Sequence, residues 1–585
     1  MEPEKITYIG KVDYRDKQVT FGIKEKDRTR HTYIIGKTGM GKSTMLENLA
    51  IQDIANGEGL AFIDPHGTTA EKLLDFIPEH RVHDVVYFAP FDTDHPMALN
   101  MLERVEPSKR YLVANGLMSA FKKTFTDSDG KGTFSARMEY ILNNIILALL
   151  ENEGQTLLGV NRMLTDKEYR KFIISNVTDP TVRDFWLVEF ANYSERFAQE
   201  AAPAIQNKIG QFIANPLIRN IIGQTHTSFD IREIMDKKKI LIINLSKGKV
   251  GEGNANLIGA MLITKIYLAA MSRADAGPYG LKDLPPFYFY VDEFQNFANE
   301  TFADILSEAR KYKLALTVAH QYVDQMTDDV KSAVFGNVGT MITFRVGATD
   351  AEIFEKEFAP VFIMDDIVNL SAYQMYLRLM IDGVGSKPFS ARALAPMESL
   401  PRSFAENVID YSRKKYGRNK NIVEQEINSW YQPIKKPEAL RPPEPAMKVE
   451  TKPYTPPQKE YRKEYTSPKK EYPAPQPKKE YIALKEHTPK SHVDTYHKES
   501  SKVEKPLFDD KPGMSLKDAL AKALNETNKE KEQKVAKEEV NLTHTETTTT
   551  SVKETLRIKV EAPKHVPLRE VPEDKLRALI YDEEK

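Results

Sequence analysis

Gly36-Lys37-Thr38-Gly39-Met40-Gly41-Lys42-Ser43 satisfies the pattern G-x-x-x-x-G-K-[ST] at every fixed place. The apolar run Tyr33-Ile34-Ile35 precedes it, and Met45, Leu46, Leu49, Ala50 and Ile54 follow at helical spacing. Strand, tight loop and helix, in that order, is the context the pattern needs. Glycines let the backbone curl so that successive N–H groups point inward at phosphates. In such a loop Gly36 to Thr44 would hold the nucleotide, with Lys42 reaching the β- and γ-phosphates and the Ser43 hydroxyl holding Mg²⁺. The expected ligands are ATP and Mg²⁺. GTP stays open, because the loop reads phosphates and not the base.

A second signal lies far downstream. Phe287-Tyr-Phe-Tyr-Val291 is an apolar strand that ends in Asp292 and Glu293. Phosphoryl transfer needs charge neutralised at the phosphates and an aligned nucleophile. Asp292 suits the first task as a Mg²⁺ ligand, and Glu293 the second as the base for water. An acidic pair after a strand is common; paired with a complete phosphate loop it becomes specific. The 250-residue gap calls for a sheet interrupted by an insertion.

The remainder of the chain fits that plan. Residues 1–30 read as a strand-rich lead-in, with runs at Ile6–Ile9 and Gln18–Ile23. Strand and helix patterns alternate over 31–100 and end on a strand run at Val82–Phe88, implying an α/β layer with a parallel sheet. Helical periodicity takes over in 101–235, at Lys109–Phe121, Arg137–Leu150, Asp166–Ile173, Pro180–Phe190 and Ala202–Ile213. This reads as an all-α insertion, either a cap or a partner-contacting domain. Strand runs return over 236–400 at Lys239–Leu245, Phe287–Val291, Leu314–Val318 and Thr340–Val346, separated by helical runs that include Asn254–Met271 and Phe302–Lys311, with Pro388–Leu400 as a last extended element. A helical segment trails over 401–430.

From 431 to 585 the composition changes. One glycine and 18 of the chain's 34 prolines lie there, with 32 Lys/Arg against 28 Asp/Glu. Lys-Glu-Tyr recurs at Lys459–Tyr461, Lys463–Tyr465, Lys470–Tyr472 and Lys479–Tyr481. Such a segment buries too little apolar surface to offset the entropy of ordering, so disorder is expected. Its lysines and tyrosines could contact single-stranded nucleic acid or only keep the tail solvated. Two helix-like islands, Ser515–Asn525 and Pro572–Ile580, read as transient helices or docking motifs. The front part keeps 51 basic and 56 acidic residues, so bulk charge does not advertise nucleic-acid binding. The chain has no cysteine, which excludes disulfides and thiolate chemistry. No signal peptide or spanning helix is expected; Leu257–Met271, broken by Thr264 and Lys265, reads as a buried helix.

Other residues carry two readings each. Asp64, in Asp64-Pro-His66-Gly67, either orients water and supports Mg²⁺ at the sheet edge or only ends a strand in a turn. Gln321, after Leu314–Val318, either senses the γ-phosphate or is a loop amide. Arg310 and Arg345 are candidates for an arginine supplied across a subunit interface, or for surface and packing duty. Arg28 and Arg30 could contact a base or sugar. His31, His66, His83 and His95 lack cysteine partners and ligand spacing, against a zinc site.

Taken together, these signatures resemble the type IV secretion coupling-protein ATPases, within the HerA/FtsK-like superfamily of P-loop DNA motors. Carrying the likeness are Asp27-Arg-Thr-Arg-His31, the loop itself, Gln52-Asp53, Ile63-Asp-Pro-His-Gly67 and Pro96-Met-Ala-Leu-Asn100. Leu245-Ser-Lys-Gly248, Val291-Asp-Glu-Phe-Gln-Asn296, Leu306-Ser-Glu-Ala-Arg310, Ala319-His-Gln321 and Phe344-Arg-Val-Gly347 through Asp382–Phe389 continue it, over about residues 15–400. The resemblance implies a RecA-like domain with an inserted all-α domain, a hexameric ring, and DNA, single- or double-stranded, as the substrate pumped or recruited in conjugation. It implies the roles above for Lys42, Ser43, Asp292, Glu293 and Gln321, favours a functional Asp64, and ranks Arg310 above Arg345 as the trans-acting finger. Many coupling proteins begin with transmembrane helices, and this sequence shows none. The expectation is therefore a cytoplasmic protein, peripheral through a membrane partner, with the tail as a tether for a secretion-channel or relaxase-like partner. A soluble HerA-like DNA-processing translocase and a nucleotide-switched scaffold are the alternatives.

Overall fold

Phe287-Tyr-Phe-Tyr-Val291 is apolar at every position, and all five residues are buried. A strand covered on both faces requires that composition. The structure, a computed structural model, describes residues 5–14, 17–125, 135–193, 195–298 and 300–432. The 431–585 tail, with its repeats and islands, therefore lies almost wholly outside the described residues.

The strands are β1 (Ile6–Tyr14), β2 (Lys17–Lys24), β3 (Thr32–Ile35), β4 (Gly59–Asp64), β5 (Val85–Phe88), β6 (Ile240–Asn244), β7 (Phe287–Val291), β8 (Leu314–His320), β9 (Thr340–Thr343), β10 (Gln374–Arg378), β11 (Met380–Ile381), β12 (Val384–Gly385) and β13 (Phe389–Ala393). Among the described residues, eleven strands form one sheet in the order β2-β1-β13-β10-β9-β3-β8-β7-β4-β6-β5, and β11 and β12 make a small ribbon. From β9 to β5 all neighbours are parallel. The strands from β10 outward pair antiparallel. The sheet is thus mixed and not parallel throughout. The 1–30 stretch supplies its far edge, and β10 was not legible as a strand.

Pleating sends alternate residues to opposite faces. Tyr33, Ile35, Phe287, Phe289 and Val291 enter one core, and Ile34, Tyr288 and Tyr290 the other. The Lys42–Ala55 helix covers the second face through Met45, Leu46, Leu49, Ala50 and Ile54. Each Met, Leu or Ile among them stabilises by about 1.5–3 kcal/mol when fully buried.

The helical insertion leaves after β5 and returns at β6, its neighbour in the sheet. Its helices include Arg110–Thr124, Ala136–Leu150, Lys167–Ser175, Glu195–Ala214 and Pro216–Ile222. Ser135, Asp166, Asp179 and Asn215 accept backbone N–H groups at the starts of four helices. The insertion docks where Gly116 meets Thr264: a Cβ at Gly116 would lie 2.6 Å from the threonine methyl. Thr264 belongs to the Glu252–Ser272 helix, which contains the Leu257–Met271 run. The stretch containing it is long and apolar enough to cross a bilayer, but 67% of its apolar window is buried within the protein.

Three elements differ from their sequence patterns. Pro180–Phe190 is not one helix: an α-helical turn, Pro180–Asp184, passes into a π turn, Phe185–Glu189. There Phe185, Trp186, Phe190 and Tyr193 pack ring against ring. The Val82–Phe88 strand is shortened to Val85–Phe88 because Arg81 sits in a 3₁₀ turn and donates to the Ile54, Glu58 and Lys238 carbonyls. The Phe302–Lys311 run is α-helical only to Glu308 and closes in a 3₁₀ turn, Ala309–Tyr312.

Candidate nucleotide site

Parallel register, not sequence distance, assembles the site. Ile35 pairs with His320, Val291 with both Val318 and Ile63, and Asp64 with Asn244. The next residues on these strands, Gly36, Gln321 and Asp292, therefore emerge with Asp64 along one carboxyl edge. Open α/β sheets bind ligands at that edge.

The loop has the conformation that its glycines permit. Gly39 has φ 77° and Gly41 φ 116°, in the region that favours glycine. Gly41 is also wedged: a Cβ there would lie 3.2 Å from the Tyr373 ring and 3.3 Å from Phe344. The Tyr373 N–H donates to the Met40 carbonyl, and the Lys37 N–H to the Arg345 carbonyl. Lys37, Thr38 and Gly39 are exposed at the crown. The Lys42–Ala55 helix has no side-chain cap, so its first N–H groups stay available to an anion.

Lys42 is buried, and its ammonium donates to the Gly36 carbonyl at 2.7 Å. Burial lowers its pKa, and the Glu293 and Asp292 carboxylates oppose that shift. The Ser43 hydroxyl donates to Asp292 Oδ2 at 3.1 Å. Hydroxyl and carboxylate oxygens are the donors a hard cation such as Mg²⁺ takes, usually alongside phosphate oxygens. Among the described residues no three His, Cys, Asp or Glu side chains form a metal cage. Ser43 and Asp292 are thus suited to share a cation with a bound nucleotide.

Burial raises the Asp292 carboxyl to about 6, with added repulsion from Glu293 and Asp64; the Glu293 N–H and Ser43 hydroxyl act the other way. A carboxyl raised in the fold adds stability below its unfolded pKa and loses it as pH rises through about 6. Asp292→Asn is therefore expected to raise the melting temperature of the nucleotide-free protein at pH 7.5 and to leave it unchanged near pH 4. Thermal melts at the two pH values check this.

Glu293 adopts φ 46° and ψ 49°, a left-handed conformation for a residue with a side chain. Its backbone N–H donates to Asp292 Oδ1 at 2.9 Å. Gln321 Nε2 donates to Glu293 Oε1 at 2.7 Å, and Gln295 Nε2 to Oε2 at 2.5 Å. Gln321 thus faces the acidic pair. Asp64 is buried beside it, but both its oxygens accept backbone N–H groups, from His66 at 2.8 Å and Ala70 at 3.0 Å. It ends the strand in a turn and also acts on Asp292 through its charge.

The two arginine candidates occupy opposite edges. Arg345 is half-buried beside the loop. Arg310 is exposed in the 3₁₀ turn before β8, at the amino edge. A seven-residue strand separates that edge from the loop, about 23 Å. Arg310 instead lies near His31, whose imidazole burial lowers to about 4 with help from the arginine's charge.

Arg28 is not a base or sugar contact. It is buried, donates to Asp53 at 2.6 and 2.8 Å, to Tyr290 at 2.7 Å and to Thr7 at 2.9 Å, and lies 3.5 Å from the Tyr288 ring centroid. Arg28→Ala leaves Asp53 buried without its cation and is expected to cost about 3–5 kcal/mol of stability. Chemical denaturation checks this, with nucleotide affinity of the folded fraction unchanged. Arg30 lies at the amino edge too, where its carbonyl accepts the Gly339 N–H. Gln295, Tyr373 and Phe344 are site neighbours that sequence reasoning missed. Gln295 stood in a motif without chemistry of its own, and the other two reach the loop only through the sheet.

A glycine loop on a central parallel strand, with an acidic pair ending the strand two places away, defines the P-loop class of nucleotide-binding folds. The sequence model of the type IV secretion-system coupling protein DNA-binding domain matches residues 18–359, and the chain belongs to that family. Solved structures that match the chain include the bacterial conjugative coupling protein TrwBdeltaN70 in an unbound form, at 15% identity and TM-score 0.47, covering 69% of this chain and 97% of that one. The plasmid coupling protein TrwB in complex with ADP and Mg²⁺ matches at 16% identity and TM-score 0.47, over 69% and 98%. VirB4 of Thermoanaerobacter pseudethanolicus matches at 15% and TM-score 0.45, over 70% and 99%. No curated protein sequence matches the chain.

Proposed function

We propose that the protein is a Mg²⁺-dependent ATPase that drives or recruits DNA in type IV secretion or conjugative transfer. The observation that carries the ATPase is the Ser43–Asp292 hydrogen bond beside Lys42, with Glu293 next in the chain. Gly36 to Thr44 bind the triphosphate through backbone N–H groups, and Lys42 leaves the Gly36 carbonyl for the β- and γ-oxygens. Mg²⁺, held by Ser43 and Asp292, would neutralise charge on the phosphates. Glu293 accepts the proton of the attacking water. Gln321 exchanges its bond to Glu293 for one to the γ-phosphate or that water. Asp64 sets the field on Asp292 and shapes the turn.

Membership of the coupling-protein family supports DNA as the substrate. The front part's slight acidity confines DNA contact to local basic loops. The test is phosphate release by the full chain with ATP and Mg²⁺, with and without single- and double-stranded DNA. DNA stimulation is expected, and DNA affinity should fall steeply with salt as counterions are released. A rate that no DNA changes, in assembled protein, favours a nucleotide-switched scaffold instead. A secretion-channel or relaxase-like partner, engaged through the 431–585 tail, would place the motor at the inner membrane face; pull-down with and without the tail tests this.

A further inference from the structure

One polar side chain beside the catalytic pair has no part in the mechanism above. Gln295 Nε2 donates to Glu293 Oε2 at 2.5 Å. Its Oε1 is buried and meets no hydrogen-bond donor among the described residues. Turning the amide round would set two acceptor oxygens against each other at that short separation, so the glutamate's charge decides which way it points. Among the described residues, Glu293 is the sole hydrogen-bond partner of the Gln295 amide.

The backbone around Glu293 is also fixed. Its left-handed conformation costs about 1–2 kcal/mol for a residue with a Cβ. Asn296 Nδ2 holds the Glu293 carbonyl at 2.9 Å, and Lys247 in turn donates to Asn296 Oδ1 at 2.9 Å. The carboxylate is gripped at both oxygens, but by groups of different origin. Gln321 belongs to another strand end and has a second task at the γ-phosphate. Gln295 stands two residues from Glu293, in the 3₁₀ turn Phe294–Asn296 that Glu293 itself caps.

Building on the ATPase reading, we propose that Gln295 is a positioning residue for the reaction. It keeps Glu293 aimed at the attacking water once Gln321 has left for the phosphate. The departure frees Oε1 for the water proton, while Oε2 stays anchored. Without that anchor the carboxylate swings among rotamers, and bases held loosely lose much of their advantage.

The test is a double-mutant cycle in the full chain, read as ATP turnover and as affinity for a fluorescent ATP analogue. Gln295→Met keeps the length and removes the N–H. It is expected to lower kcat about 10-fold or more with KM for ATP and analogue affinity within about twofold, the pattern of a change that leaves nucleotide binding intact and weakens only the transition state. In a Glu293→Gln background the same change is expected to alter the residual rate by less than about twofold, because effects that run through one group do not add. Gln295→Glu, which sets a second carboxylate against the first, is expected to lose kcat as well. Parental kcat in Gln295→Met or Gln295→Glu overturns the proposal. So does an equal fold-loss in both backgrounds, or a loss of analogue affinity that matches the loss of rate. The ATPase reading is judged separately, by the ratio of parent to Glu293→Gln.

Discussion

Glu293→Gln is expected to bind ATP as tightly as the parent and to release phosphate at least about 100-fold more slowly, since a positioned base contributes roughly 10²–10⁴-fold. The substitution keeps the side chain's size and can keep one acceptor for the Gln321 or Gln295 amide, so the site should stay assembled. What it removes is the acceptor of the water's proton. Lys42→Ala should act one step earlier. Its ammonium is buried 2.7 Å from the Gly36 carbonyl, already inside the loop that would hold the phosphates. Removing it should abolish nucleotide binding, and the pair of variants separates binding from chemistry. Nucleotide binding and single-turnover phosphate release are the measurements. Equal phosphate release by Glu293→Gln and the parent would falsify the assignment of the base.

Arg310→Ala is expected to lower turnover about 10³-fold, the lower end of the range for arginines that complete a neighbour's site. Geometry makes this a statement about assembly. Arg310 is exposed at the amino edge of the sheet and cannot reach its own loop at the carboxyl edge. A ring in which each interface repeats one contact would bring it to the next protomer's nucleotide. Activity per subunit should then rise with protein concentration. Mixing Arg310→Ala subunits with Glu293→Gln subunits should restore turnover, because some interfaces pair an intact arginine with an intact base. A mixture that co-assembles yet stays inactive would remove the trans role. Arg345, whose carbonyl already binds the Lys37 N–H, would then become the better candidate. Six subunits is the number that the family resemblance implies, and mass measurement of the assembled ring checks it.

Much of the site was legible because its chemistry is local. Gly36 to Ser43 needs only eight consecutive residues to form a phosphate cradle, and Asp292-Glu293 follows a strand too apolar to be anything but central. Arg28 shows the limit. In the sequence it stands two residues from Arg30 and three from His31, and nothing distinguishes a ligand contact from a buried ion pair. Its partner Asp53 is 25 residues away and Tyr290 is 262 away. Asp64 shows a subtler one: both its oxygens accept backbone N–H groups in the turn, and a carboxylate that caps a turn still carries its charge beside Asp292.

By itself, then, the sequence determined most of the elements and the candidate groups of the site. Periodicity distinguishes strand from helix, glycine permits the loop, and an apolar run followed by two acids marks a buried strand's exposed end. Only the tertiary structure decided pairing and direction. Parallel register placed Gln321 on Glu293 and Ser43 on Asp292, across separations of 28 and 249 residues. The same strand order sent Arg310 to one edge and Arg345 to the other, and antiparallel pairing joined β1 and β2 to the sheet through β13. Those outcomes depend on which strands lie side by side, and hydrogen bonding between backbones carries no trace of that choice in the side chains of either strand alone.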